Sequence, residues 1–256
     1  MNAPLIIGHR GASAVAPENT MAAFREAIAV GADGIEFDVR LTRDGVPVVI
    51  HDSTLQRTGG LPHRVSELDF SELSTIDVGS WFARRKNLPL GSFAQESVPS
   101  LRELFTLFQS NSLVLCLEMK CDTASEQQPL AEACCELIDE FAFKERVIVE
   151  CFKLPALTIV KQLEAEIKTA ALFEPSISTP SVLWDQSVIA QATAVGASYL
   201  ALHHRLARAA LVEKAKLAGL QVAVWTVDDP AWVTRAQSIS IDALISNDPA
   251  AMLGHR

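Results

Sequence analysis

Two acidic residues lie two positions apart on a predicted strand. From residue 35 to 41, apolar and polar side chains alternate, which places Glu36 and Asp38 on the same face. Side chains two positions apart on one face of a strand are separated by about 6 to 7 Å. Two bare carboxylates this close repel each other unless a cation lies between them. The pair therefore predicts a metal-binding strand.

A histidine follows this strand after a short turn. The Arg-Asp-Gly turn at 43–45 leads into the apolar run 46–50, which ends at His51. Parallel neighbouring strands need a connection of about a dozen residues or more, so the short turn predicts an antiparallel hairpin. The hairpin brings His51 back to the level of Glu36 and Asp38.

Composition and charge limit the kinds of partner. The chain has 256 residues, 49% of them hydrophobic and 21% charged, which is enough to bury a large core. The net charge of -9 argues against nucleic acid or an anionic membrane as a partner, and no apolar run is long enough to span a membrane. The first apolar run, 4–7, is too short for a signal peptide. Five cysteines without metal-binding spacing predict reduced core residues in a cytoplasmic protein.

Strand and helix patterns alternate along most of the chain. Predicted strands are 4–8, the hairpin of 35–50, 113–117, 147–152, 169–173, 198–202, 221–226 and 242–245. Predicted helices are 20–31, 101–108, 130–141, 155–167, 184–194, 206–218 and 230–237, and 174–181 is a Pro/Ser-rich loop. About eight strand-helix units predict a (β/α)₈ TIM barrel formed by the single domain 1–256. The alternative, an open doubly wound sheet, lacks a Gly-rich phosphate turn. Residues 53–97 show no regular periodicity and predict a small cap inserted after strand 2.

Reactive side chains of such barrels lie at the C-terminal ends of the strands. Besides His51 of the hairpin, these ends carry His9, Arg10, Glu36, Asp38, Glu118, Lys120, Cys151, Phe152, His203, His204, Trp225, Thr226, Asn247 and Asp248. Three carboxylates, Glu36, Asp38 and Glu118, suit a hard cation such as Mg²⁺ or Ca²⁺ better than Zn²⁺.

The charges at this rim indicate an anionic substrate. The three carboxylates, one divalent cation, Arg10 and Lys120 sum to about one positive charge, which a singly charged phosphodiester neutralises. Two histidines, His9 and His51, are then the candidate general base and general acid on opposite sides of phosphorus. The residues alone do not decide which histidine has which role.

Each of these residues also has a purely structural interpretation. Glu118 and Lys120 alone are typical of a same-face ion pair worth under about 1 kcal/mol. Cys151 is typical of a core position, and His203 and His204 of structural or pocket-lining residues. Trp225 is either core or an aromatic wall against an alkyl or glycerol group. The prediction of a site depends on the whole set.

That set resembles the glycerophosphodiester phosphodiesterase family, especially its short cytoplasmic bacterial members. The matching segments are His9-Arg10-Gly11, Pro17-Glu18-Asn19-Thr20, Glu36-Phe37-Asp38, Thr42-Arg43-Asp44-Gly45, His51-Asp52, Leu55-Gln56-Arg57-Thr58, Asp77-Val78-Gly79-Ser80-Trp81-Phe82, Pro99-Ser100-Leu101, Glu118-Met119-Lys120, Val224-Trp225-Thr226-Val227 and Asp248-Pro249. The resemblance implies a TIM barrel with a cap and metal-dependent hydrolysis of glycerophosphodiesters to glycerol 3-phosphate and an alcohol. It also implies that Glu36, Asp38 and Glu118 hold the cation, that His9 and His51 form the acid/base pair, and that Arg10 and Lys120 bind phosphate.

Some positions depart from the family pattern. These departures affect the expected substrate preference more than the expected activity. Cys151-Phe152 replaces a common Ser-Phe, and 58–60 and 246–249 also differ from the usual sequences. Two alternatives remain: a barrel phospholipase of the sphingomyelinase D or phosphatidylinositol phospholipase C type, and a barrel that binds phosphodiesters without cleaving them. The alcohol, the metal, the order of the two histidines and the oligomeric state stay open.

Overall fold

The computed structural model describes residues 3–89, 91–175 and 181–256, with 181–184 described as backbone only. Part of the predicted Pro/Ser-rich loop, residues 176–180, lies outside the described residues.

Nine strands in the described part of the chain form one sheet. They are β1 (Leu5–His9), β2 (Gly34–Leu41), β3 (Pro47–Val49), β4 (Val114–Met119), β5 (Val147–Cys151), β6 (Lys168–Phe173), β7 (Tyr199–His203), β8 (Gln221–Trp225) and β9 (Ala243–Ser246). All of these except β3 are parallel to their neighbours, and pairing of β1 with β2 closes the sheet into a barrel. Strand β3 is antiparallel to β2. The predicted TIM barrel and hairpin are both confirmed.

Helices connect the strands and cover the outside of the barrel. They are α1 (Met21–Ala29), α2 (Phe70–Leu73), α3 (Ser80–Lys86), α4 (Leu101–Phe108), α5 (Ala124–Glu140), α6 (Leu154–Leu163), α7 (Ser181–Ala194), α8 (Ala209–Leu217), α9 (Ala231–Ile239) and α10 (Pro249–Leu253). Short 3₁₀ helices are present at Val65–Glu67 and His204–Leu206.

Two expectations about helices differ from the structure. Helix α5 begins at Ala124, six residues before the predicted start at 130, because the Glu126 carboxylate accepts a hydrogen bond from the Asp122 amide (2.7 Å) and so caps an earlier turn. The cap region 53–97 is not irregular throughout, since it contains α2, α3 and a 3₁₀ helix. These helices have at most seven residues, too few to show a helical period in the sequence.

The alternation along β2 separates two buried layers. Phe37 points outward and packs edge-on against Phe24 of α1 and Phe105 of α4, with ring centroids 6.2 and 6.5 Å apart. Glu36 and Asp38 point into the barrel and are buried. The outward layer is entirely apolar, so the polar side chains of this strand lie inside the barrel.

Inward side chains of alternate strands form layers, as is typical of this fold. The strand register places Glu36, Glu150, Ala201 and Ile245 in one layer. The next layer toward the C-terminal ends contains His9, Glu118, Leu172 and Trp225. Below both, small or apolar residues such as Cys116, Ala170 and Ala223 close the bottom of the barrel.

The cap has a small core of its own. Leu55, Val65, Leu73 and Val78 are buried together against Val48 of β3. This packing anchors the cap beside the strand that leads to His51. All five cysteines are buried and free, as the sequence predicts.

Candidate active site

The end of β1 makes a tight turn that positions Arg10. Arg10 has a positive φ of 53°, and its backbone N–H donates a hydrogen bond to Glu36 Oε2 at 2.9 Å. Gly11 follows with φ 83°, and a Cβ at this position would lie 2.6 Å from the backbone carbon of Ala23. The turn therefore needs glycine after the His-Arg pair, both for its backbone conformation and for its close approach to α1.

Three carboxylates converge inside the barrel. Glu36, Asp38 and Glu118 each place an oxygen within 4.8 Å of the others, and all three are buried. The parallel register pairs Asp38 directly with Glu118 on the neighbouring strand, which explains how residues 80 positions apart meet. We call this set the acidic triad.

Two cations and an amide hold Asp38 in place. Arg10 Nε lies 3.1 Å from Asp38 Oδ2, Lys120 Nζ lies 3.0 Å from Asp38 Oδ1, and Asn19 Nδ2 donates to Oδ2 at 2.7 Å. Burial alone would raise the pKa of Asp38, but Arg10 and Lys120 hold it below its usual range. Asp38 is therefore held as a carboxylate anion.

The charged forms of Glu36 and Glu118 are less favoured than the charged form of Asp38. Burial and the nearby Asp38 charge raise the pKa of Glu36 well above its ordinary value. Burial also raises the pKa of Glu118, although Lys120 Nζ at 2.5 Å from Oε1 opposes the shift. Carboxylates crowded in this way are stabilised by a hard divalent cation, so the donor set fits one.

The imidazole of His9 has a fixed orientation. Its Nδ1 lies 2.7 Å from Asn247 Oδ1, while the amide nitrogen of Asn247 donates to Asp228 Oδ2 at 2.8 Å. The oxygen of Asn247 must face the ring, so Nδ1 carries the proton and Nε2 keeps a lone pair. Nε2 lies 3.9 Å from Glu36 Oε2. Burial and the Arg10 charge lower the pKa of His9 to about 4, so the ring is neutral near pH 7.

His51 has a different neighbour. Its Nδ1 lies 2.7 Å from Asp52 Oδ1, and Arg57 Nε donates to the other oxygen of Asp52 at 2.7 Å. The hydrogen bond with His51 is the main cause that lowers the pKa of Asp52, so Asp52 is an anion. A carboxylate beside an imidazole favours its protonated form. The two histidines therefore stand in opposite electrostatic surroundings.

Both histidines open onto one central cavity of about 240 Å³. Seven of the eight predicted site residues line it: His9, Arg10, Glu36, His51, Glu118, Lys120 and Trp225. Asp38 is fully buried behind Arg10 and Lys120. The sequence-predicted residues thus converge on one place.

An apolar wall completes the central cavity. Phe152, Leu172, Trp225 and Ile245 line it, and the rings of Phe152 and Trp225 meet edge-on with centroids 5.5 Å apart. Trp225 is therefore a wall residue rather than ordinary core. His203 packs against the other side of Trp225 at 5.2 Å and does not line the cavity.

Sequence reasoning missed two carboxyls in the central cavity. Glu150 of β5 points inward, lines the cavity and is only 2% exposed. Burial and the Glu118 charge raise its pKa to about 8. The available signal was the position of an acidic residue in the apolar run of β5, two residues before Phe152 and therefore on the same face. Glu174, at the exposed end of β6, also lines the cavity and was missed.

The described helices were compared with the length and apolarity of a membrane span. No helix among them combines the length and apolarity that crossing a bilayer requires.

Comparison with known proteins places these features in a family. The model of the glycerophosphoryl diester phosphodiesterase family matches residues 9–251. A glycerophosphodiester phosphodiesterase of Caldanaerobacter subterraneus subsp. tengcongensis is 32% identical over 249 residues, which cover 97% of this chain and 96% of that protein. A phosphodiesterase structure from Oleispira antarctica, in complex with the product sn-glycerol-3-phosphate, superimposes with a TM-score of 0.86 at 26% identity and covers 99% of this chain and 96% of its own. A glycerophosphodiester phosphodiesterase structure from Agrobacterium tumefaciens gives a TM-score of 0.79 at 26% identity, covering 98% and 99% of the two chains. The chain therefore belongs to the glycerophosphoryl diester phosphodiesterase family and is a phosphodiester hydrolase.

Proposed function

We propose that this enzyme cleaves glycerophosphodiesters to glycerol 3-phosphate and an alcohol, using a divalent cation and two histidines. The observation that carries the proposal is the convergence of the acidic triad, His9, His51 and two cationic side chains on the central cavity. The family model and the similar proteins support the same reaction class.

The acidic triad would hold the cation. Three carboxylates without cysteine or histidine among them favour Mg²⁺ or Ca²⁺. When bound, such an ion polarises a non-bridging phosphate oxygen and helps to orient the attacking hydroxyl.

The surroundings of His9 suit a general base. Its Nδ1 proton is engaged by Asn247, so Nε2 takes the proton from the attacking oxygen, which belongs to the glycerol 2-hydroxyl or to water. The low pKa of His9, caused by burial and Arg10, keeps this lone pair available. When water attacks, glycerol 3-phosphate forms directly and His9 returns its proton to solvent. When the 2-hydroxyl attacks, the first product is a cyclic phosphate. Water then opens the ring to glycerol 3-phosphate, with His51 taking a proton from the water and His9 giving its proton back to the 2-oxygen.

The surroundings of His51 suit a general acid. Asp52 stabilises the protonated imidazole, which gives its proton to the oxygen of the departing alcohol as the phosphorus-oxygen bond breaks. Arg10 and Lys120, which line the central cavity, stabilise the negative charge on the phosphoryl oxygens.

The proposal extends to the domain organisation, the kind of substrate and the location of the protein. The whole chain acts as one barrel domain on a small-molecule substrate, consistent with its net charge of -9. Five buried free thiols support a reducing, cytoplasmic location.

The test is a panel of glycerophosphodiesters carrying choline, ethanolamine, inositol or glycerol, assayed for release of glycerol 3-phosphate. We expect turnover with Mg²⁺ or Ca²⁺, none in EDTA, and recovery when the ion is restored. His51→Ala should lower turnover by about 10² to 10⁴-fold. Full activity in EDTA would reject the cation, and wild-type activity of His51→Ala would remove that histidine from the mechanism. Ligand affinity without product would favour the binding-only alternative.

A further inference from the structure

Glu150 lies at the inner end of the central cavity. The strand register places it in the same layer as Glu36 and Ile245, one layer deeper than Glu118 and Trp225. It lines the cavity although the residue as a whole is 2% exposed. Its carboxyl is therefore a deep polar group that faces into the cavity.

The polar partners of Glu150 within the protein are few. Its carboxyl accepts a side-chain hydrogen bond from the Cys116 thiol, and among the described residues it takes part in no salt bridge. A thiol is a weak hydrogen-bond donor and leaves most of the bonding capacity of a carboxyl unused. Glu150 also stands outside the acidic triad, whose ligand oxygens lie within 4.8 Å of one another. The capacity that the protein leaves free is open to a ligand in the cavity.

The position of Glu150 in the cavity indicates that the glycerol end of the substrate lies next to it. The layer of Glu150 contains Ile245 and Glu36, and the next layer outward contains Leu172, Trp225 and Glu118, so the wall combines apolar side chains with the proposed cation ligands. The cations Arg10 and Lys120, which would bind phosphate, line the same cavity. The alcohol of the substrate varies in size and needs the open mouth, so the short glycerol end points inward. Its 2-hydroxyl is next to the reacting phosphate, which leaves the terminal hydroxyl for the inner end. A hydroxyl among apolar walls needs a hydrogen-bonding partner.

We propose that the Glu150 carboxyl binds the terminal hydroxyl of the glycerol moiety and thereby determines specificity for glycerol. This inference rests on the proposed function of the site. A cavity that hydrogen-bonds a substrate hydroxyl discriminates strongly against an analogue without it, because its own polar group is then left unpaired.

The experiment compares two substrates that differ only in that hydroxyl. One is glycerophosphocholine, and the other is the phosphocholine diester of propane-1,2-diol, which keeps the hydroxyl next to the phosphate ester. We expect the wild-type kcat/KM to favour the glycerol substrate by about 10²-fold or more. In Glu150→Met, kcat/KM for the glycerol substrate should fall by about 10²-fold, while that for the propanediol substrate should change less than about threefold. Glu150→Gln, which keeps donors and acceptors, should retain most of the preference.

A matched control separates this role from a general loss of charge. Glu174 is an acid that lines the same cavity at its exposed end, so Glu174→Gln should leave the ratio between the two substrates unchanged. Equal losses on both substrates in Glu150→Met, or no loss on either, would overturn the proposal. A loss of Mg²⁺ or Ca²⁺ binding in Glu150→Met, measured by calorimetry without substrate, would also overturn it and assign Glu150 to the cation.

A binding measurement keeps the inference independent of catalysis. Calorimetry with glycerol 3-phosphate and with the phosphate monoester of propane-1,2-diol reports recognition of the terminal hydroxyl without any turnover. If the enzyme cleaves neither diester, the proposed function fails, but a preference for glycerol 3-phosphate that disappears in Glu150→Met would still support the inference. Equal affinity of the wild type for both monoesters would refute it.

Discussion

The hydrogen bond between His51 and Asp52 allows us to predict how much the rate of leaving-group protonation falls when Asp52 is replaced. In Asp52→Asn the amide has one acceptor oxygen, and Arg57 Nε, which lies 2.7 Å from Oδ2, competes for it. The amide nitrogen is then left facing His51, and the negative partner of the protonated imidazole is lost. Isolated charge-assisted hydrogen bonds contribute about 1.5 to 3 kcal/mol.

Solvent exposure reduces that figure. The side chains of His51 and Asp52 are 35% and 25% exposed, so water screens part of their interaction. We therefore expect the substitution to destabilise the protonated imidazole by about 1 to 2 kcal/mol. At about 1.4 kcal/mol for each factor of ten, the rate of a step that needs this proton falls roughly 5- to 30-fold.

The assay uses two glycerophosphodiesters with different leaving groups. With choline, a poor leaving group that needs protonation, kcat/KM of Asp52→Asn should fall by that factor at about pH 8. With p-nitrophenol, which leaves as an anion, kcat/KM should change less than about twofold.

A second aspartate-arginine pair supplies the control. Asp69 accepts a hydrogen bond from Arg43 at 2.8 Å but does not line the central cavity, so Asp69→Asn should leave both rates unchanged. Equal losses for choline and p-nitrophenol in Asp52→Asn would show that Asp52 does not act through leaving-group protonation. No loss for either would refute the role assigned to the His51-Asp52 pair.

Three other perturbations test the cation site, the base and the turn. At a concentration 100-fold above its Kd, Mg²⁺ or Ca²⁺ should stabilise the wild type by about 2.7 kcal/mol, which raises the melting temperature in calorimetry by roughly 5 to 10 °C. Glu36→Gln should lose this shift. A full shift in that variant would exclude the acidic triad as the site. Asn247→Leu should misorient His9 and lower kcat/KM by about 10- to 100-fold, whereas an unchanged rate would show that the 2.7 Å hydrogen bond is dispensable. Gly11→Ala should cost more than about 2 kcal/mol in urea unfolding because of its φ of 83° and its clash with Ala23. Gly45→Ala has a φ of 79°, but among the described residues no atom beyond its two chain neighbours lies within 4 Å of the added Cβ, so it should cost only about 1 kcal/mol. Equal costs would mean that the close approach of Gly11 to α1 is relaxed.

The positions of the triad and the histidines could be predicted because they follow from local patterns. Period-two alternation along β2 determines that Glu36 and Asp38 share the inward face, and the short turn before β3 returns His51 to their level. Parallel barrel strands bring their C-terminal ends to one rim, so Glu118 had to join them. These inferences need only the local hairpin and the common rim, and not the order of the other barrel strands.

Other features depend on contacts between distant residues and could not be predicted in this way. The inward layer shared by Glu36 and Glu150 exists only once the register of three strands is known. Glu150 lies within a short apolar run where periodicity does not distinguish a strand with both faces buried from a buried helix segment. The early start of α5 depends on a capping carboxylate at Glu126 rather than on the apolar pattern of the helix.

The different roles proposed for the two histidines also depend on contacts that form only in the assembled barrel. Asn247 is 238 residues away from His9 in the sequence, whereas Asp52 is adjacent to His51. Burial and the Arg10 charge favour the neutral form of His9, whereas His51 is partly exposed and is hydrogen-bonded to the Asp52 carboxylate. In the proposed mechanism two chemically identical side chains take opposite proton-transfer roles, and their neighbours rather than their own motifs distinguish them. For this reason the Asp52 and Asn247 substitutions should impair different proton transfers, with only the former sensitive to the leaving group.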